Sequence, residues 1–231
     1  MFKALFDCGE RSILLSTREL FADQFRDKVK PVHLPKPLTH LQNSKCDEMS
    51  ESELVQYCKE KMDTLNINEE QASKIERETR EQHRSSHWHA MRAGRVTASQ
   101  MHSVNRFNFD KPATSTIKSV CYPKTMKPTE ATSWGISNED RARRDYLLAS
   151  KQSHDKVNVE KSGFIINPNI PYVGASPDGI VTCNCCEKGV LEIKCPFKHK
   201  DKTIIEACRN DKDFCLKEEN GELILDKKHP Q

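Results

Sequence analysis

The chain has 231 residues, 31% of them charged and 35% from the hydrophobic set, which suits one large domain with an arm whose length is not all packed. Its longest apolar stretches, such as Ile13-Leu14-Leu15, fall far short of the roughly 18–20 residues of a membrane span, and the opening MFKALFDCGERSILLS has charges inside its apolar patch, unlike a secretory signal peptide. The net charge of +3 (37 basic against 34 acidic residues) is too small to point to a nucleic-acid partner, so that argument rests on local patches.

Residues 1–48 read as a poorly structured arm, with Pro31, Pro35 and Pro37 among Lys and His as an extended connector. Residues 49–84 read as a helical extension. Ser50 and Glu53 have capping-box spacing, and Leu54, Tyr57, Cys58 and Met62 then share one side of a helix. A second helix is expected from about Asn68 to Arg84, with Glu69 and Glu70 in its first turn. From 85 onward a core domain is expected: a basic segment leading into a helix near Thr97, a Pro-bearing loop around one short helix over 107–130, and a helix from Trp134 to about Ser150. Short β-type runs bounded by Gly, Pro and Asn follow: Val157–Val159, Gly163–Ile166, Tyr172–Ser176, Gly179–Thr182 and Gly189–Lys194. A helix over about 201–209 and a polar tail complete the pattern. Helices, then hairpins, then a helix predict an α/β or α+β domain with a central mixed sheet.

Ten cysteines at irregular spacing, with no signal peptide, indicate a reducing intracellular compartment, nuclear or cytoplasmic. Free thiols are the default reading. Cys183, Cys185 and Cys186 with Cys195, and His199 on the distant side, offer a zinc alternative. The thiol reading is preferred, because Cys195 follows Lys194 and should face the opposite side of the sheet. His83, His87 and His89 lack an acid or Cys partner at ligand spacing.

The chemistry-bearing pattern is Ser176-Pro177-Asp178-Gly179 followed by Leu191-Glu192-Ile193-Lys194-Cys195-Pro196. Pro-Asp-Gly makes a turn at a strand end. Glu192 and Lys194, two apart in a strand, leave the same face, and a hairpin brings Asp178 beside them. Two carboxylates and an ammonium on one face suit a cation and an anion: Mg²⁺ or Mn²⁺ with phosphate oxygens, the equipment for phosphodiester hydrolysis. Taken singly, each feature has a plainer reading. Glu192–Lys194 could be a surface pair, Glu139 part of a solvated helix face, Arg92 and Ser99 a surface charge and a helix cap. Trp88 and Trp134 read as core residues.

Three motifs in order strengthen the sharper reading: Trp88-His-Ala-Met-Arg92-Ala-Gly-Arg-Val-Thr-Ala-Ser99, Trp134-Gly135-Ile-Ser-Asn138-Glu139, and the Asp178…Glu192-x-Lys194 set. Over about Glu76 to Lys200 the chain resembles the PD-(D/E)XK nuclease superfamily, and within it the YqaJ-like viral recombinase family, which is lambda exonuclease-like. The resemblance implies a restriction-endonuclease-like core and a Mg²⁺- or Mn²⁺-dependent exonuclease acting on linear double-stranded DNA from a 5′-phosphorylated end. It implies Asp178, Glu192 and Glu139 as metal-binding acids, the Ile193 carbonyl as a backbone ligand, and Lys194 as the residue acting on water. It makes Arg92 and Ser99 the 5′-phosphate pocket, with Arg95 touching a neighbouring phosphate. Ser99 in a first helical turn suits an anion, and Arg92 would add a bidentate contact. A homo-oligomer and a single-strand annealing partner are further implications of the resemblance. The family's glutamine-bearing helix after the core has no counterpart before Gln231, so a truncated chain is expected, a weak or inactive DNA-end-binding remnant being the alternative. A zinc-binding module is the second alternative.

Overall fold

A computed structural model describes residues 2–7, 32–108, 110–123 and 127–226. The chain divides into two units, Met1–His33 and Leu34–Gln231. In the first, helix α1 spans Phe2–Asp7, and residues 8–31 of the expected arm lie outside the described residues.

The second unit opens with the extended, Pro-bearing segment and two 3₁₀ turns, Leu38–Leu41 and Ser44–Glu48. Helix α2 (Glu51–Asp63) begins at the predicted capping box: the Ser50 N–H donates to Glu53 Oε2 at 2.8 Å. Its apolar side is left largely in solvent, with Leu54 and Met62 exposed. Helix α3 (Glu69–Glu78) buries Ala72 and Ile75. It stops six residues before the expected Arg84 because Thr79 is used elsewhere. The Thr79 hydroxyl donates to the Ile75 carbonyl (2.6 Å) and accepts the Phe164 N–H (2.7 Å), binding the helix end to a distant segment. The chain then turns through Gln82, at φ +44°, into a 3₁₀ turn over Gln82–Arg84.

Helix α4 (Ser86–Arg92) occupies the segment read as merely basic, with Met91 turned inward. It leads through Gly94 (φ +82°) into strand β1 (Val96–Thr97) and helix α5 (Ala98–Asn105). Helix α6 spans Thr114–Cys121, and helix α7 spans Glu130–Ser150, starting four residues before Trp134 at the Thr129 cap.

Strands β2 (Asn158–Glu160), β3 (Ile165–Asn167), β4 (Ile170–Ala175), β5 (Gly179–Thr182) and β6 (Gly189–Leu191) follow. The mixed α/β class holds, but the expected central sheet is divided. One three-stranded sheet has the order β1-β4-β3, with β1 parallel to β4; another has the antiparallel order β2-β5-β6. Helix α8 (Ile204–Asn210) precedes strands β7 (Leu216–Glu219) and β8 (Glu222–Leu225). This hairpin occupies the expected polar tail. Asn220 and Gly221, both at positive φ (53° and 84°), form its turn, the backbone that two-residue hairpins favour.

The core gathers Ile67, Ala72, Ile75, Met91, Phe164 and Ile166, with Leu34 and Trp88 packed against it. Close approach requires glycine at two positions. A Cβ on Gly163 would lie 1.8 Å from the Glu76 carbonyl oxygen, and one on Gly174 would lie 2.3 Å from the Phe164 ring. Packing therefore fixes α3 and β4 against the segment that leads into β3.

Candidate active site

Asp178 sits where β5 begins. Its N–H donates to the Leu191 carbonyl (3.0 Å), and its Oδ2 accepts the Ile193 N–H (2.6 Å). The β5–β6 ladder ends at the Gly179–Leu191 pair, so this carboxylate substitutes for the next rung. The expected strand to Lys194 accordingly stops at Leu191, and side-chain hydrogen bonding orders Ile193 instead. No donor among the described residues engages Asp178 Oδ1. Burial pushes the Asp178 carboxyl above its ordinary range. The Ile193 N–H opposes the shift, Glu192 and Glu139 add to it, and Lys194 counters it. Four of the predicted residues thus share one electrostatic neighbourhood.

Each remaining acid is met by a basic group. Lys194 Nζ lies 2.5 Å from Glu192 Oε1, with both side chains about half exposed. Arg143, one turn after Glu139 on α7, donates to Glu139 Oε1 at 2.5 Å, to Asp140, and through Nε to the Asp178 carbonyl at 3.1 Å. Arg143 is buried, and it ties α7 to the Asp178 turn. Its signal in the sequence is the i,i+4 spacing from Glu139. Gln82 supplies a second tie that sequence reading missed. Its side-chain amide donates to the Ser162 and Pro177 carbonyls at 2.9 and 3.0 Å.

Arg92 and Ser99 flank the short link between α4 and α5. The Arg92 guanidinium lies over the Trp88 ring at 4.0 Å and 6.0 Å from the Phe164 ring. It is half-buried, and burial lowers its pKa. No carboxylate among the described residues pairs with it. Ser99 is exposed in the first turn of α5, its hydroxyl 3.1 Å from that of Thr97. The Trp88 indole N–H donates to the Ser176 hydroxyl at 2.8 Å, connecting this region to the Ser-Pro-Asp-Gly turn.

Arg95 does not fit its expected place. It is 1% exposed, and its guanidinium donates to the carbonyls of Pro171 (2.8 Å) and Met91 (2.5 Å). Burial pulls its pKa down to about 10. The Gly94 turn sends this side chain beneath α4, where it satisfies backbone acceptors rather than facing a phosphate.

The hairpin cysteines carry free thiols, as the preferred reading expects, but the histidine beside them is not the one the zinc alternative named. His199 donates to Asp211 at 2.7 Å, and Cys195 lies where burial, then Glu139 and Asp178, raise its thiol pKa. Neither joins the hairpin cysteines. His154, just beyond α7, does: its Nδ1 lies 3.5–3.7 Å from the sulfurs of Cys183, Cys185 and Cys186. Among the described residues this is the one group of three or more metal-donor side chains whose ligand atoms converge. The acids at Asp178 are not gathered to that degree, because Glu139 and Glu192 are turned to their basic partners. As a donor set they still suit a hard divalent ion: three carboxylates, one of them half-buried with an oxygen available and strained by its acidic neighbours.

A family model, the YqaJ-like viral recombinase domain, matches residues 87–213. The chain belongs to this family. The matched YqaJ-like region runs from α4 through the Asp178 hairpin to α8, and so includes every predicted site residue. Among solved structures the chain is similar to LHK-Exo in complex with dAMP, at 29% identity and TM-score 0.40, over 54% of this chain and 59% of that one. It is similar to a SOX–DNA complex (22%, TM-score 0.39, 56% and 25%) and to the Shutoff and Exonuclease Protein of Kaposi's sarcoma-associated herpesvirus (23%, TM-score 0.38, 56% and 26%). The chain thus spans between about a quarter and three-fifths of the length of these structures. No curated protein matches.

Proposed function

We propose that this YqaJ-like domain is a metal-dependent DNA exonuclease acting on linear double-stranded DNA from a 5′-phosphorylated end. The observation that carries the reading is the Asp178 carboxylate, held by the Ile193 N–H within the shared field of Glu192, Glu139 and Lys194. Asp178, Glu192 and Glu139, with the Ile193 carbonyl, would hold Mg²⁺ or Mn²⁺. The ion, when bound, supplies charge stabilisation to the phosphate in the transition state.

The chain's own groups divide the remaining work. Lys194, an ammonium beside two carboxylates, orients the attacking water and offsets charge at the phosphate. Arg143 fixes Glu139 and the Asp178 backbone together, which matters because phosphoryl transfer depends largely on positioning. Arg92, a half-buried cation with no carboxylate partner among the described residues, receives the terminal phosphate. Ser99 adds a hydroxyl and a helix N-terminus to the same anion.

The test is release of nucleotides from linear duplex DNA with Mg²⁺ or Mn²⁺. Ends bearing a 5′-phosphate are cut faster than 5′-hydroxyl ends, and closed circular DNA is left intact. Equal cutting of all three substrates would refute end recognition, and cutting in excess chelator would refute metal dependence.

A further inference from the structure

We propose that His154, Cys183, Cys185 and Cys186 form a structural Zn²⁺ site that clamps the end of α7 to the tip of the β5–β6 hairpin. The four ligand atoms all lie within 4.8 Å of one another. The sulfurs of Cys183 and Cys185 are 3.6 Å apart, those of Cys185 and Cys186 3.8 Å, and the imidazole Nδ1 lies 3.5, 3.5 and 3.7 Å from the three sulfurs. A tetrahedral Zn²⁺ with Zn–S of about 2.3 Å and Zn–N of about 2.05 Å sets S···S edges of about 3.8 Å and S···N edges of about 3.6 Å. These five edges match that tetrahedron, and the sixth, between the sulfurs of Cys183 and Cys186, is no longer than 4.8 Å. They do not match a sulfur–sulfur bond, and they are too short for a multi-iron cluster, which spreads its thiolates over separate irons.

Hydrogen bonds hold the backbone around the group. The His154 N–H donates to the Ser150 carbonyl (3.0 Å), so the imidazole is carried by the turn that follows α7 and is tied to its last residue. Asn184 joins the two segments twice, its N–H to the Asp155 carbonyl (2.9 Å) and its side-chain amide to Asp155 Oδ2 (3.0 Å). Asn158 pairs with Thr182 immediately beside them. The ligands therefore come from a helix end and a hairpin tip that the fold already brings together.

Three thiolates and one imidazole are the soft, borderline donors that select Zn²⁺ over Mg²⁺ or Ca²⁺, and four protein ligands leave no position for substrate. The role is accordingly structural. Helix α7 carries Glu139 and Arg143, and the clamped hairpin leads from Asp178 to Glu192 and Lys194. A clamp at the far end of both limits their sliding past each other. The zinc assignment itself does not depend on the nuclease reading, because none of its ligands is among the proposed acids.

The experiment is elemental analysis of the protein purified from zinc-supplemented culture without chelator. About one zinc per chain is expected, with near-complete loss in the Cys185→Ser/Cys186→Ser double variant and retention in Cys215→Ser. His154→Cys, which restores a four-thiolate set, should also retain one zinc and serves as the folded control. Replacement by Co²⁺ should give the thiolate charge-transfer and tetrahedral d–d bands in the wild type and not in the double variant. Zinc well below stoichiometric in the wild type, another metal in its place, or an unchanged content in the double variant would each overturn the assignment.

Discussion

The indole N–H of Trp88 donates to the hydroxyl of Ser176 at 2.8 Å, while the other side of the relationship is the Arg92 guanidinium stacked 4.0 Å from the same ring. One side chain thus connects the cation proposed to receive the DNA end with the turn that carries Asp178. Distance along the chain between the two motifs hides this contact, which is made by packing α4 against the end of β4.

Trp88→Phe keeps an aromatic face for Arg92 and removes the hydrogen bond. A loss of about 1 kcal/mol is expected, or about 2–4 °C in Tm for a chain of this size. Affinity for a 5′-phosphorylated duplex should fall more than affinity for its 5′-hydroxyl counterpart, as measured by fluorescence anisotropy. An equal fall for both duplexes would mean that Trp88 supports the fold alone.

Arg143→Gln removes a buried cation from two carboxylates and from the Asp178 carbonyl. The carboxylates left behind are partly exposed and can be resolvated, so a loss of about 1–3 kcal/mol is expected, from the charge-assisted hydrogen bonds. Chemical denaturation should show that loss. Removing the acid as well, in Arg143→Gln/Glu139→Gln, should recover part of it. A double variant as unstable as the sum of the singles would show that the pair is not coupled.

Asp178 provides a pH- and metal-linked prediction. Its carboxyl is raised by burial and by Glu192 and Glu139. A carboxyl whose folded pKa lies above its unfolded value gives stability that is full below the unfolded value and lost as pH rises through the folded one. At neutral pH the metal-free protein therefore carries a penalty that Asp178→Asn removes, while the amide oxygen still accepts the Ile193 N–H. Metal-free Asp178→Asn should melt above the wild type at neutral pH and lose that advantage in acid, where the wild-type carboxyl is protonated. Mg²⁺ should raise the wild-type Tm and leave that of the variant unchanged. Equal Mg²⁺ stabilisation of the two proteins would place the ion elsewhere.

The sequence carried those features whose physics is local. The Ser50–Glu53 capping box started α2 as read, and the alternation and turn residues around Gly179–Thr182 marked β5 with its bounds intact. Motif order, not composition, singles out the acids and the lysine, and the fold puts Glu192, Glu139 and Lys194 within electrostatic reach of Asp178. Features that depend on distant partners were not legible. The end of α3 is set by Thr79 binding Phe164, eighty-five residues away, and no periodicity encodes it. Arg95 looked like one more basic residue until burial turned it inward. His154 stands twenty-nine residues before Cys183 with no spacing rule between them, so nothing local marks it as the neighbour of the hairpin cysteines. The β7–β8 hairpin, by contrast, has a local signal in Asn220-Gly221, set amid surrounding charge.

Lys194→Ala tests whether the Asp178, Glu192 and Lys194 constellation hydrolyses DNA from a phosphorylated end. Cleavage of 5′-phosphorylated linear duplex in Mg²⁺ is measured beside binding of the same ends in Ca²⁺. The expected result is a fall in cleavage rate on the order of a hundredfold or more, as for loss of a positioned charge-stabilising group, with end affinity changed by less than about twofold. Cleavage by Lys194→Ala at the wild-type rate would rule out this constellation as the hydrolytic site.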